Sequence, residues 1–287
     1  MESLACLNGE LVPVDQAKIP VSDRGFLFGD SVYEVFRLYQ GRCWLEPEHM
    51  ARLERSLALM QYTGVDLPGL LARVHRTIQI SEIREGTAYI QITRGVAPRL
   101  HAFPNPPVPP TELILIRAYD DAPTARLRES GVPAISQDDL RWKRCDVKST
   151  NLLANVLANQ AARSAGAYEA ILITPEDVVT EATHSSLLWV RDGHLYGTPE
   201  GPGILPGTTR SLLLHLAVEI NAPFEEATTT LPDLKAADEV LLLGTTIEVL
   251  PVIKIDHSPI ANGRPGPLSR RLQTAFSASV NRWLSNP

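Results

Sequence analysis

The stretch from Arg141 to Ser149 reads RWKRCDVKS and places Lys148 between a β-like segment and an Ala/Leu-rich helix predicted over 149–165. An amine at the end of a structural element can be partly removed from water, which lowers the pKa of lysine. Only the neutral amine attacks a carbonyl, so this position suits a lysine that forms a Schiff base. From position alone, a solvated lysine at a helix start is the plainer interpretation.

Strand-like and helical segments alternate on both sides of this stretch. Apolar periodicity and capping residues predict helices over 47–61, 68–80, 208–220 and 269–284. Runs rich in Ile, Val, Thr and Tyr predict strands over 41–45, 87–94, 112–119, 170–174, 178–180, 187–190, 195–196 and 239–243. Hairpin turns such as the one at Asp192 make much of the sheet structure antiparallel. The predicted class is therefore α+β or mixed α/β.

Two domains are predicted from the length of 287 residues and from one polar, proline-containing segment that lies between two regions with regular apolar patterns. A small α/β domain covers 1–120, a linker covers 121–126, and a larger domain that carries Lys148 covers 127–287. The segment 98–110 contains six prolines in thirteen residues, which predicts an irregular loop within the first domain.

Composition excludes several classes of function. The chain has 27 basic and 33 acidic side chains, and this acidic balance argues against a nucleic-acid partner. No apolar stretch approaches the roughly 20 residues that a membrane span needs. The three cysteines lie far apart and the histidines are scattered, so neither a disulfide nor a metal site is predicted. The N-terminus lacks the features of a secretory signal, and we therefore expect a cytoplasmic protein.

Two threonine-rich turns are candidates for binding an anion. The segment from Gly203 to Arg210 is a Gly/Pro turn that leads into a helix, and Leu242 to Thr246 is a turn that follows a buried strand. Free N–H groups at a helix start suit a phosphate, although either turn alone is more often ordinary capping. Together the two turns favour a phosphate-binding cup.

These segments resemble the fold-type IV pyridoxal-phosphate enzymes, the class IV aminotransferases, and are most similar to the D-amino-acid transaminases among them. The resemblance rests first on RWKRCDVKS with Glu181 downstream. Further matching motifs lie in the family's order along nearly the whole chain: DRGFLFGD at 23–30, YEV at 33–35, EHMARL at 48–53, TRG at 93–95, PRLH at 98–101 and GTTR at 207–210.

The resemblance implies a two-domain fold-type IV architecture, the cofactor pyridoxal 5'-phosphate and two catalytic side chains. Lys148 would hold the cofactor as a Schiff base and then move a proton on the substrate. Glu181 would face the pyridine nitrogen and keep it protonated, so that the ring accepts electrons. The cofactor-binding residues are implied to be Lys148, Arg52, Glu181, Leu205, Thr208, Thr209 and Thr245, with Arg52 and the threonines on the phosphate and Leu205 against the ring.

Substrate recognition is implied at Tyr33, Arg99 and His101. In the D-amino-acid transaminases these positions hold the substrate α-carboxylate, which a planar guanidinium binds in a bidentate manner. The family's loop reaches into the neighbouring subunit, so a homodimer is implied. The chain departs from the family after Glu181, where Ala182 to Ser186 replaces a Gly/Ser-rich run. His184 in this run could line the cofactor site or could simply be packed.

The resemblance implies a transaminase that moves the amino group of a D-amino acid, typically D-alanine, to 2-oxoglutarate by a ping-pong mechanism. Small-molecule amino acids and 2-oxo acids are then its partners. The alternatives are a branched-chain L-amino-acid aminotransferase, against which Arg99 and His101 argue, a 4-amino-4-deoxychorismate lyase, and (R)-amine transamination as a side activity. A non-catalytic relative is disfavoured because Lys148 and Glu181 are both present.

Overall fold

The computed structural model describes residues 4 to 286, which fall into two units, each built on one β-sheet. The first unit runs to Asp120 and also includes Val147–Asn151. The second holds Asp121–Asp146 and the chain from Leu152 onward. Residues 1 to 3 and 287, at the ends of the two predicted domains, lie outside the described residues.

The sheet of the first unit has six antiparallel strands in the order β2-β1-β6-β5-β3-β4. The strands are β1 Leu4–Leu7, β2 Glu10–Pro13, β3 Ser31–Tyr39, β4 Arg42–Cys43, β5 Gly86–Thr93 and β6 Thr111–Ala118. Strand β3 is paired with β5 along its length, from Ser31 opposite Thr93 to Leu38 opposite Gly86. Since side chains alternate between faces, Val32, Phe36 and Leu38 all point into one core.

Three helices belong to the first unit: α1 Arg24–Phe28, α2 Glu46–Leu59 and α3 Leu67–Ser81. Helix α2 packs through one apolar face: Leu53 and Leu57 are buried in the core, and Met50 and Met60 pack against it. Helix α3 begins after Asp66, whose side chain accepts a hydrogen bond from the N–H of Gly69.

The second unit has a nine-stranded mixed sheet in the order β12-β11-β10-β13-β14-β7-β8-β9, with β15 paired to β14. The strands are β7 Val132–Asp138, β8 Glu169–Ile173, β9 Val179–Ala182, β10 Ser186–Arg191, β11 His194–Gly197, β12 Phe224–Glu226, β13 Glu239–Gly244, β14 Glu248–Ile255 and β15 Ser258–Pro259. Strand β7 is parallel to both β14 and β8, and most other pairs are antiparallel. The mixed α/β class predicted from the sequence is confirmed.

Five helices belong to the second unit: α4 Ala122–Ser130, α5 Leu153–Ser164, α6 Thr208–Glu219, α7 Leu231–Lys235 and α8 Pro267–Ser285. Helix α8 packs on the sheet through Leu268, Leu272 and Phe276, which are all buried. Within residues 4 to 286, no helix combines the length and the apolar character that a membrane span requires.

The structure differs from the predicted boundaries in three places. Residues 121–126 are not irregular, because α4 begins at Ala122, where Pro123 suits the first turn of a helix. The helix predicted over 149–165 begins only at Leu153, because residues 147–151 are bound to the edge of β3. By its contacts Lys148 therefore belongs to the first unit and not to the larger C-terminal unit.

Candidate functional site

Lys148 is held in an extended segment beside the first residues of β3. The N–H of Tyr33 donates to the Lys148 carbonyl (3.0 Å), and Ser149 forms a bridge with Val32. The Lys148 N–H points to the hydroxyl of Ser56 on α2 (3.3 Å). Neighbouring elements thus fix the backbone, and the amine Nζ lies 4.3 Å from the centroid of the Tyr33 ring, over its face.

Arg52 lies on the buried face of α2 and pairs with Glu34 of β3. Its Nε donates to Glu34 Oε1 (2.7 Å) and its Nη2 donates to Oε2 (2.9 Å). His49 Nδ1 lies 2.8 Å from the same Oε2 and donates to it, because an ionised carboxylate only accepts. The three side chains form a buried, charge-assisted network under the sheet.

The electrostatics of this network follow from burial and from its internal pairing. Burial alone raises the pKa of Glu34, but Arg52 and His49 outweigh it and lower the pKa to about 2. Burial lowers the pKa of His49, and the nearby charges of Arg52 and Lys148 lower it further, against the opposing effect of Glu34. The network therefore holds an ionised Glu34 and a neutral His49 near pH 7.

Arg99 and His101 are exposed residues of the proline-rich loop, and both lie against the ring of Phe28 at the end of α1. The Arg99 guanidinium carbon is 5.3 Å from the Phe28 centroid, and the His101 ring centroid is 5.6 Å from it. The two side chains predicted to bind the substrate carboxylate therefore both lie near the ring of Phe28.

Glu181 is buried on β9 in the second unit and bonds to a nearby arginine. Arg141 Nη1 donates to Glu181 Oε1, and Arg141 is fixed in turn by Asp139 through Nε (2.9 Å) and Nη2 (2.7 Å). The N–H of Leu205 lies 3.4 Å from both Glu181 oxygens. Burial raises the pKa of Glu181 to about 7, against the opposing effects of Arg141 and of the Leu205 N–H.

The two threonine turns meet at the start of strand β10. A Cβ atom on Gly207 would lie 2.5 Å from the hydroxyl oxygen of Ser186, so a larger residue here would require the Ser186 side chain to move. A Cβ atom on Gly244, which precedes the turn that holds Thr245, would lie 3.8 Å from the hydroxyl oxygen of Ser185. Thr208 and Thr209 are buried in the first turn of α6.

This arrangement fits a bound phosphate. Helix α6 has no side chain that caps its N-terminus, and the first N–H groups of a helix have no partner within the helix. The glycine at the cap allows close approach, and the positive end of the helix dipole favours an anion there. A phosphate-bearing cofactor is therefore compatible with the second unit, and Glu181 offers a carboxylate for a basic ring nitrogen.

His184 is held by Glu169, a buried carboxylate of β8. Its Nδ1 lies 3.1 Å from Glu169 Oε1, and its N–H donates to the same oxygen (2.6 Å). Ser185 donates to the other oxygen (2.8 Å), and Thr183 donates to Oε1 (3.1 Å). Glu169 thus bonds to three consecutive residues, Thr183 to Ser185, of the run that departs from the family pattern.

Each unit brings part of the predicted site together. In the first unit, Tyr33 lies beside Lys148, and Arg99 and His101 both lie near Phe28. In the second unit, Glu181 lies beside Leu205. The Thr208–Thr209 turn and the Thr245 turn both lie near the start of β10. Sequence reasoning missed the partners Glu34, His49, Arg141 and Glu169. One signal was available: Glu34 lies in phase with Val32 and Phe36 of the alternating strand, so a buried charge needing a partner could have been predicted.

One further cluster lies in the first unit, away from these residues. Cys43, Glu46 and His75 bring their ligand atoms within 4.8 Å of one another, although no metal site was predicted from the sequence. Glu46 Oε2 lies 2.6 Å from His75 Nε2. Burial raises the pKa of the Cys43 thiol, and its hydrogen bond to Glu46 raises it further. The three groups are therefore joined through Glu46.

Comparison with known proteins gives a consistent result. The family model of the amino-transferases of class IV matches residues 31–255. The D-alanine aminotransferase of Staphylococcus haemolyticus is 40% identical over 275 residues, which cover 96% of both chains. The corresponding enzyme of Staphylococcus aureus (strain N315) is 42% identical over 278 residues, again 96% of both chains, and that of Bacillus licheniformis is 39% identical over 277 residues, 95% of both.

Solved structures agree in fold. The branched-chain amino acid aminotransferase of Escherichia coli superposes with a TM-score of 0.90 at 26% identity, covering 97% of this chain and 94% of that one. A second branched-chain amino acid aminotransferase, solved with pyridoxamine 5'-phosphate, gives the same score and identity, covering 98% and 95%. The resemblance found in the sequence is confirmed, and the chain belongs to the class IV aminotransferases.

Proposed function

We propose that this enzyme is a D-amino-acid transaminase. It takes the amino group from a D-amino acid, typically D-alanine, and passes it to 2-oxoglutarate, giving pyruvate and D-glutamate in two half-reactions. The main support is the identity of about 40% to D-alanine aminotransferases over nearly the full length of both chains. The branched-chain aminotransferases share the fold at 26% identity, which makes a branched-chain L-amino-acid activity the second candidate.

The cofactor is pyridoxal 5'-phosphate, whose ring accepts the electron pair left when the substrate loses its α-proton. The Thr208–Thr209 turn, Thr245 and Arg52 would hold its phosphate, and Leu205 would lie against its ring. The position of Thr208 and Thr209 in the first turn of α6 supports this role. Arg52 is held in place by Glu34 and is suited to an anion because a guanidinium is positively charged and carries several N–H donors in one plane.

Lys148 would hold the cofactor through its side-chain amine and would move the proton at the substrate Cα. Its backbone is fixed by Tyr33 and Ser56, so the movable part is the side chain alone. The Tyr33 ring beneath Nζ keeps the amine on one side of β3. A fixed base of this kind delivers and removes the proton on one face of the substrate, as stereospecific transamination requires.

Glu181 would accept a hydrogen bond from the protonated pyridine nitrogen and would in this way keep that nitrogen positively charged. A carboxyl group with a pKa near 7 in the free protein becomes fully ionised when a cation is placed against it. Arg141 donates a hydrogen bond to Oε1. The contact of Oε2 with the Leu205 N–H, at 3.4 Å, is longer than that bond. Oε2, which does not bond to Arg141, would therefore be the oxygen available to a ring nitrogen.

Arg99, His101 and Tyr33 bind the substrate α-carboxylate. The guanidinium carbon and the imidazole centroid lie 5.3 Å and 5.6 Å from the Phe28 ring centroid, and both groups can donate hydrogen bonds to a carboxylate. Tyr33 adds a hydroxyl next to the Lys148 amine. This set recognises the carboxylate of the amino acid and leaves the side chain of the substrate to other contacts.

The enzyme acts as a homodimer in the cytoplasm. Helix α5 supports the dimer, since Leu153, Val156 and Leu157 are apolar and between 59% and 72% exposed, which is typical of a surface covered by another subunit. Sedimentation equilibrium should give twice the chain mass of 31.5 kDa. A monomeric mass would contradict the dimer without affecting the catalytic assignment.

The overall reaction is tested by incubating the purified holoenzyme with D-alanine and 2-oxoglutarate. Chiral separation should recover D-glutamate and pyruvate in equal amounts. L-Leucine with 2-oxoglutarate is the matched comparison. Formation of L-glutamate from L-leucine at the higher rate would establish the branched-chain alternative instead.

A further inference from the structure

The DRGFLFGD motif at 23–30 has no assigned role in the proposed reaction, yet it forms the support beneath the substrate loop. Helix α1 begins at Asp23, whose side chain accepts from the N–H of Gly25 (2.8 Å) and from the hydroxyls of Thr93 (2.9 Å) and Thr111 (2.7 Å). The backbone N–H of Arg24 donates to the Gly95 carbonyl (2.9 Å). Helix α1 is therefore fixed to strands β5 and β6.

The end of the motif folds back on its start. Gly29 ends the helix with a φ of +65°, a conformation that favours glycine, and this turn brings Asp30 next to Arg24. Arg24 Nε donates to Asp30 Oδ2 (2.9 Å), and the two side chains are 4% and 8% exposed. One edge of the Arg24 guanidinium is thus fixed by a buried carboxylate.

The other edge of Arg24 binds the backbone of the substrate loop. Nη1 donates to the carbonyls of Leu100 (2.6 Å) and Ala102 (3.3 Å), and Nη2 donates to that of His101 (3.4 Å). Within residues 98–103, the only backbone-to-backbone bond joins the Leu100 N–H to the Pro98 carbonyl. Arg24 thus supplies most of the hydrogen bonds that order this short segment.

A second arginine braces the same carboxylate and the far end of the loop. Arg94 Nε donates to Asp30 Oδ2 (2.8 Å), and its guanidinium lies 3.8 Å from the centroid of the Phe103 ring. Phe28, the ring against which Arg99 and His101 lie, has the Arg24 guanidinium 4.9 Å from its centroid. The loop backbone and the side chains of the pair are therefore both tied to Arg24.

We propose that Arg24, anchored by Asp30, is a positioning residue for substrate recognition: by holding the Leu100–Ala102 carbonyls it sets where Arg99 and His101 point. This inference rests on the proposed role of Arg99 and His101. Lysine cannot replace Arg24 in this role, because an ammonium lacks the planar fork that bonds Asp30 on one edge and three carbonyls on the other. A loop that is less well ordered binds the carboxylate more weakly without changing the chemistry at Lys148.

The test is a double-mutant cycle on the holoenzyme, read in single-turnover half-reactions with D-alanine. Arg24→Lys should raise the half-saturating D-alanine concentration about tenfold and leave the limiting rate within about twofold. In a background that carries Arg99→Ala and His101→Ala, the same Arg24→Lys change should have less than about a twofold effect. Arg76→Lys, at an exposed position of α3, is the control and should change neither value.

An effect of Arg24→Lys that is equally large in both backgrounds, or no effect at all, would overturn the positioning role. If the Arg99→Ala and His101→Ala background itself leaves the half-saturating concentration unchanged, the proposed carboxylate site fails instead. Should Arg24→Lys not fold, Asp30→Asn keeps the arginine and weakens its anchor. Asp30→Asn should raise the half-saturating D-alanine concentration in the native background and have a much smaller effect in the Arg99→Ala, His101→Ala background. An equal effect in both backgrounds would overturn the inference.

Discussion

Glu34 accepts two hydrogen bonds from the Arg52 guanidinium in a setting where the two side chains are 0% and 8% exposed. Both charged groups are buried, so removal of one of them leaves the other buried without its main charged partner. Breaking a buried pair in this way is far more damaging than losing an exposed one. The pair thus couples the stability of the first unit to the orientation of Arg52.

Glu34→Ala should lower the free energy of unfolding by about 3 to 5 kcal/mol, because Arg52 would remain buried without its carboxylate. Urea denaturation followed by circular dichroism measures this change. Glu54→Ala, at an exposed position of α2, the helix that carries Arg52, is the control and should change stability by less than about 0.5 kcal/mol. Equal stability of the two variants would show that the pair contributes little.

Lys148→Ala should lose both the covalently bound cofactor and transamination, because no other described side chain is proposed to bind the cofactor carbonyl. The visible absorption band of the purified protein and its turnover with D-alanine are the measurements. Lys254→Ala, at an exposed position of β14, should keep both. An unchanged absorption band in the Lys148 variant would exclude this lysine as the attachment site.

Arg99→Ala should raise KM for D-alanine about 30-fold, since it removes a charge-assisted pair with the substrate carboxylate worth roughly 2 kcal/mol. The value of kcat should change much less, because the guanidinium has no role in the proton transfer. Steady-state kinetics with D-alanine and 2-oxoglutarate provide both constants. If KM stays within error of the native value, the loop does not bind the carboxylate.

Glu181 should make the stability of the cofactor-free protein depend on pH. Its pKa is raised from 4.5 to about 7, so between these values the folded protein binds a proton that the unfolded chain has lost. The stabilisation is fully present below about pH 4.5 and is lost as the pH rises through about 7, and it amounts to about 3 kcal/mol. Thermal unfolding is measured at about pH 5 and about pH 8. The fall in melting temperature between the two should therefore be larger for the native protein than for Glu181→Gln. Parallel losses would contradict the raised pKa.

The sequence was sufficient to predict those helices and strands whose own residues carry the apolar pattern typical of the element. Helix α2 shows its apolar face at helical spacing, and strand β5 shows its Ile-rich run, so both were predicted close to their observed bounds. The start of α5 was predicted four residues early. The segment 147–151 has helix-compatible residues, and only its pairing with Val32 and Tyr33, more than a hundred residues away, makes it extended.

Part of the candidate site could be found only because the chain resembles a known family. Arg52 was identified by its motif, but its partner Glu34 depends on the packing of α2 against β3, which the sequence does not state. The link from Arg24 to the Leu100 carbonyl likewise joins residues 76 positions apart. Contacts of this kind depend on tertiary structure, whereas the types of residue needed for the chemistry are visible in the sequence.

Preference for D- over L-amino acids separates the proposed transaminase from a branched-chain L-amino-acid aminotransferase, and half-reactions with the two enantiomers of alanine measure this preference. The holoenzyme is mixed with D-alanine or L-alanine in the absence of a 2-oxo acid, and the spectral change of the cofactor is followed through one turnover. The apparent second-order rate constant for D-alanine should exceed that for L-alanine by about a hundredfold or more, which corresponds to about 3 kcal/mol of discrimination. Faster conversion of L-alanine would contradict this preference.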